Sequence, residues 1–161
     1  MAHIGGSCKA YSWEQARSAR PGMVKHCDKQ EVRMETEIGS IEWADLTVEN
    51  AAEIRDFYKS VVGWDSSEVD MGGYSDFCMS LPSDGKTVAG VCHLRGTNAD
   101  LPSQWLIYIA VEDLDRSMAR CIEKGGSVIA GPKGFGEQAR FCVIRDPAGA
   151  VAALYCQTKK E

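Results

Sequence analysis

Along residues 41–48 (IEWADLTV) an indole, a carboxylate and a hydroxyl recur at every second position, as Trp43, Asp45 and Thr47. A strand sends alternate side chains to opposite faces, so these three share one face and Ala44, Leu46 and Val48 the other. The same phase in the extended runs further on selects Gly90 and Cys92, then Leu106, Tyr108 and Ala110, then Val151, Ala153 and Tyr155. Asp45 could take up a proton, its affinity for one raised by apolar surroundings, or it could balance a cation. A tyrosine could move a proton in its place. Aromatic faces supply contact area and hold cations. A face lined by Trp43, Asp45, Cys92, Tyr108 and Tyr155 therefore suits a flat organic or weakly cationic ligand. The plainer reading is that the aromatics fill space and that Asp45 is salt-bridged. Cys92 lacks a histidine on its own face, because His93 points the other way, and reads as a structural thiol rather than a nucleophile.

Two other groupings hold less chemistry. His3, Cys8, His26 and Cys27 contain zinc-ligand types, but their spacing matches no common finger. The glycine-rich stretch 131–136 lacks the Gly-Lys-Ser/Thr ending and the following helix of a phosphate loop. It is expected to be a mobile flap over the lined face, with Phe135 as its apolar tip.

The elements that must position these residues come in two sets. An apolar run ends in Val48-Glu49-Asn50, and another ends in Val111-Glu112-Asp113, 63 positions on (111 minus 48). Each leads into a helical pattern. Ala51, Ile54, Phe57, Tyr58 and Val61 fall on one helical face, as do Leu114, Met118, Cys121 and Ile122. Asn50 with Glu53 has the spacing of a capping box, and Asp113 can cap the second helix alone. Gly63 and Gly125-Gly126 stop the two helices. Strands are expected at 64–71, 76–81 and 87–94 in the first set, and at 127–130 and through the 139–157 hairpin in the second. Asp146-Pro147-Ala148-Gly149 turns that hairpin. Each set thus reads β-α-β-β-β, module 1 over residues 39–95 and module 2 over residues 104–157. The fold class is α+β. Two tandem modules curl their sheets around a cleft and carry their helices outside.

Composition limits the rest. The 161 residues carry 18 Lys/Arg and 23 Asp/Glu, a net charge of −5, which argues against a nucleic-acid partner. No stretch reaches the ~20 apolar residues of a membrane span, and no apolar signal core opens the sequence. Seven scattered cysteines with no Cys-x-x-Cys pair read as reduced thiols of a cytoplasmic protein. Residues 1–36 hold six basic and four acidic side chains, a balance of +2, so the remainder carries −7. That shift marks residues 1–36 as an extension, followed by a domain over residues 37–161. Residues 31–38 alternate polar and apolar, as an arm that pairs with a sheet edge would. Such an arm predicts a homodimer.

Paired βαβββ modules, with Trp43 to Val48, Phe57-Tyr58…Gly63-Trp64 and Arg145-Asp146-Pro147-Ala148-Gly149 in that order, resemble the vicinal oxygen chelate superfamily. That group includes glyoxalase I, bleomycin resistance proteins and extradiol dioxygenases. The resemblance covers about residues 39–157. It implies a divalent metal held by four side chains, one near the start of each module's first strand and one on each last strand. Those positions are Trp43, Leu106, Gly90 and Ala153, and none is a metal ligand. The expectation is therefore no metal and no cofactor. Three functions follow. The first is metal-independent binding of a small, aromatic or cationic molecule. The second is a metal-independent lyase or isomerase using Asp45 or a tyrosine. The third is a protein-interaction domain working through the N-terminal arm. A cleft closed by side chains favours the third, and turnover of a bound compound separates the first two.

Overall fold

The structure, a computed structural model, describes residues 36–134 and 139–157. The His3, Cys8, His26 and Cys27 grouping, most of the expected arm and the Phe135 tip lie outside the described residues. The elements in order are β1 (Ile41–Val48), α1 (Ala51–Val62), β2 (Asp65–Asp70), β3 (Ser75–Ser80), β4 (Thr87–His93), β5 (Trp105–Ala110), α2 (Leu114–Glu123), β6 (Ser127–Gly134), β7 (Ala139–Arg145) and β8 (Val151–Gln157). A single 3₁₀ turn, Gly96–Asn98, lies between β4 and β5.

All eight strands form one curved, open sheet in the order β2-β3-β4-β1-β5-β8-β7-β6. The order reads the same from either edge toward the β1–β5 junction, as a duplicated module requires. The strand that opens each module pairs in parallel with the strand that closes it, and β1 and β5 join the modules antiparallel. The repeat extends to register. Asp45 pairs with Gly90, and 63 residues on Tyr108 pairs with Ala153 (108 minus 45; 153 minus 90). The α+β class and the β-α-β-β-β order are as the sequence indicates.

The helices lie on the convex face, α1 against β1–β4 and α2 against β6–β8. Under α1, Ala51, Ile54 and Tyr58 pack on Val48, Phe77, Met79 and Val91. Trp105 of module 2 joins them, its Nε1 donating to the Tyr58 hydroxyl at 2.8 Å. Leu114 and Met118 of α2 pack on Cys142, Ile144 and Leu154. The concave face holds a second core of Trp43, Leu106, Tyr108, Phe141, Val143, Ala153 and Tyr155.

Four local expectations need correction. Phe57 and Val61 of α1 and Ile122 of α2 are exposed, because each helix meets a flat sheet along a narrower stripe than the apolar pattern covers. Asn50 makes no side-chain cap to the backbone. Its amide donates instead to Glu53 Oε2 at 2.8 Å, while Asp113 caps α2 through the Arg116 N–H at 2.9 Å. Residues 131–134 are strand rather than flap. β6 carries its glycines and Pro132 at an edge, with register shifts against β7, where such residues are tolerated. Residues 36–38 of the expected arm strand are not strand. Thr36 hydrogen-bonds the Tyr155 hydroxyl at 3.0 Å, and the Gly39 N–H bonds the Ala110 carbonyl.

Candidate functional site

The concave face is built around the β1–β4 and β1–β5 pairings. Register sets Trp43 beside Tyr108, and Asp45 between Leu106 and Gly90. Trp43 Nε1 donates to Asp45 Oδ1 at 2.7 Å, so an indole N–H and a carboxylate two residues apart lock each other's rotamers. Cys92, one register step beyond Gly90 on the same face, lies 4.0 Å from the same oxygen. Tyr108 meets Phe141 with ring centroids 5.8 Å apart. Val151 packs at the edge of this group.

The five residues chosen from the sequence share this face. Trp43, Asp45 and Tyr108 adjoin, Cys92 sits behind Asp45, and Tyr155 lies on β8 in line with Ala110. They do not line an open cleft. Asp45 and Cys92 are 0% exposed, Tyr155 is 2% and Trp43 is 6%. An open surface depression of about 460 Å³ lies elsewhere, at the start of α2, beside Asp115, Arg140 and Cys156. There the Arg140 guanidinium grips Asp115 at 2.9 and 3.1 Å and holds its carboxyl below the usual carboxylate range.

Gly90 explains how a carboxylate fits here. A Cβ on Gly90 would lie 2.2 Å from Asp45 Oδ1, so the acid occupies the space that a side chain at position 90 would need. Position 90 is one of the four that the resemblance assigns to a metal. Together with Trp43, Leu106 and Ala153 it supplies no lone-pair donor, and among the described residues no three His, Cys, Asp or Glu side chains are grouped to hold an ion. The residues present do not fit that metal.

Among the members of the face that sequence reasoning missed, two carry polar or thiol groups. Cys78 on β3 pairs with Gly90, and Asp76 lies one step beyond the Phe77–Val91 pair, opposite Cys92. Asp76 is completely buried. Its Oδ1 accepts the His93 backbone N–H at 2.7 Å and lies 3.1 Å from His93 Nδ1. His93 therefore serves Asp76 rather than Cys92. The thiol of Cys78 is pushed up to about 12 by its burial and then by Cys92, Asp45 and Asp76, which places each of those three groups within electrostatic reach of Cys78. No local signal marked them, because β3 is buried on both faces and its phase shows only in its pairing with Val69 on β2 and Gly90 on β4.

Known proteins share this arrangement of sequence. "Putative glyoxylase CFP32" of Mycobacterium bovis is 28% identical over 124 residues, 76% of this chain and 48% of that protein. The anthracycline biosynthesis protein DnrV of Streptomyces peucetius is 33% identical over 132 residues, 73% of this chain and 46% of that protein. The chain thus spans about half the length of these curated relatives. A solved superfamily member from Vibrio splendidus 12B01, 11% identical, covers 73% of this chain and 100% of its own with a TM-score of 0.49. The family profile described as glyoxalase/bleomycin resistance protein/dioxygenase superfamily matches residues 40–154, most of the chain. On that match, this chain belongs to the glyoxalase/bleomycin resistance protein/dioxygenase superfamily.

Proposed function

We propose that this protein binds a small organic molecule in its concave cup without a resident metal. The observation that carries the reading is the Asp45 carboxylate, fully buried over the bare Gly90 backbone and hydrogen-bonded by Trp43. A cup closed by side chains, taken alone, favours the reading as an interaction domain. A mere filler, however, would be apolar, since burying a carboxylate costs several kcal/mol of desolvation before its partners repay it (~). An acid held among aromatic rings in a concavity supports a ligand-site reading. The donor-poor set Trp43, Gly90, Leu106 and Ala153 supports metal independence.

The name of the Streptomyces relative makes an anthracycline, a flat polycycle bearing an amine, the first probe to try. Native mass spectrometry of the gently purified full chain should show retained mass, and the probe should change tryptophan fluorescence saturably. Trp43→Ala should weaken binding by ~1–3 kcal/mol. Absence of retained mass, together with no saturable change from any flat probe, would overturn the reading. Elemental analysis should find no stoichiometric transition metal after dialysis. A lyase or isomerase working through Asp45 would use the same cup, and its distinguishing result is turnover of the bound compound.

A further inference from the structure

The two halves of the cup are related by the internal repeat, yet their chemistry is opposite. Matching positions through sheet register, module 1 presents Asp45, Thr47, Asp76, Cys78 and Cys92, where module 2 presents Tyr108, Ala110, Phe141, Val143 and Tyr155. Each polar or thiol-bearing position of one half is an apolar or aromatic position of the other. Asp45, Thr47 and Asp76 make up three of the four buried polar residues among those described. A duplicated fold has no structural need for this division, because the same backbone in module 2 packs well with apolar side chains. Asp76 supplies a second, independent observation. It is fully buried on the module 1 face, and its Oδ2 has no hydrogen-bond partner while Oδ1 serves His93. A buried carboxylate oxygen left in this condition is costly unless a hydrogen-bond donor completes it.

Building on the small-molecule reading above, we infer that the cup takes an amphipathic amine in one orientation. Its ammonium lies on module 1 beside Asp76 and Asp45, and its aromatic body lies on module 2 against Tyr108, Phe141 and Tyr155. The ammonium offers the N–H donors that Asp76 Oδ2 lacks, and Asp45 and Asp76 make that half of the cup the acidic one. The aromatic half contributes area and ring stacking without charge.

The test uses the full chain with two probes, a naphthylethylamine and the corresponding naphthylethanol, which differ in charge but hardly in shape. Calorimetry should show the amine binding at least about tenfold tighter than the alcohol, the gain expected of a charged hydrogen bond. Asp76→Asn should erase most of that preference. Should that variant fail to fold, nuclear Overhauser contacts in the unaltered protein decide the matter. The methylene next to nitrogen should contact Val69 and Thr47, and the naphthyl protons should contact Val143 and Ala153. Equal binding of amine and alcohol, or the reverse orientation, overturns this inference while leaving small-molecule binding intact. Binding of neither probe also overturns this inference, while small-molecule binding is decided by retained mass and the wider set of flat probes.

Discussion

The space above Gly90 belongs to the carboxylate of the neighbouring strand, and this makes the two residues one unit. Gly90→Ala would drive a methyl to 2.2 Å from Asp45 Oδ1. Overpacking of this kind costs about 1–3 kcal/mol. The cost should shrink sharply when Asp45→Ala is already present, since the colliding atom is then gone. A double-mutant cycle by denaturant unfolding measures this coupling. Additive effects of the two substitutions would show that the carboxylate is free to swing away. The phase of Trp43, Asp45, Tyr108 and Tyr155 was legible in the sequence, because β1 and β5 alternate and pairing carries one strand's phase to the next. Asp76 was not. β3 is buried on both faces, so Phe77, Cys78 and Met79 read as one apolar run with no visible inside. The collision at Gly90 was equally hidden, since it depends on which residues face each other across strands far apart in sequence.

At the scale of elements, the modules are tied together by more than the β1–β5 ladder. Trp105 opens β5 in module 2, yet its indole lies beneath the module 1 helix. It meets Tyr58 at 5.1 Å and Trp64 at 6.1 Å between ring centroids, near right angles to both, and it hydrogen-bonds the Tyr58 hydroxyl. Trp105→Phe keeps a ring but loses that bond and part of the packing, and should cost about 1–2 kcal/mol. Tyr58→Phe removes the same bond from the other side, so adding it to Trp105→Phe should cost little more. Equilibrium unfolding of the three variants checks this, and a full additional loss in the double variant would contradict the shared bond. Helix limits were readable because Asp113 and the glycines that end both helices have local roles. Gly63 sits at φ 81°, in the left-handed region that stops α1. The strand nature of residues 131–134 was not readable. Glycine and proline there signal a loop locally, and only pairing with β7 makes an edge strand of them.

The whole molecule is a symmetric sheet with asymmetric contents, and two buried thiols show how that burial sets a global property. Its edges are β2 and β6, and Ile38, Ile41 and Ile107 are exposed. With the N-terminal extension, these motivate the proposal of a homodimer. Sedimentation of the full chain, and of a form lacking residues 1–36, tests it, and a monomer in both cases at micromolar concentration would rule it out. The repeat and fold class were legible because the 63-residue offset survives in the sequence. The closure of the cup was not, because it depends on how side chains from six strands fill one concavity. That closure shapes stability at high pH. Cys78, on the concave side of module 1, is pushed up to about 12, and Cys142, packed under α2 in module 2, to about 11, both chiefly by desolvation. The unfolded chain releases these protons near 9.0, the ordinary thiol value, while the folded chain keeps them. Above that pH the unfolded state therefore binds fewer protons, and folding stability falls as pH rises. The stabilisation is fully present below pH 9. It is lost through about 11 for Cys142 and continues to be lost through about 12 for Cys78. Each thiol adds a slope of up to about 1.4 kcal/mol per pH unit inside its window. Tyrosines and lysines also titrate there, so the informative quantity is the difference between proteins. Cys78→Ser should flatten the fall between pH 9 and 12, and Cys142→Ser should flatten it only up to pH 11, because a serine hydroxyl does not ionise in that range. Denaturant unfolding across this range would disprove the linkage if both variants tracked the parent curve in parallel.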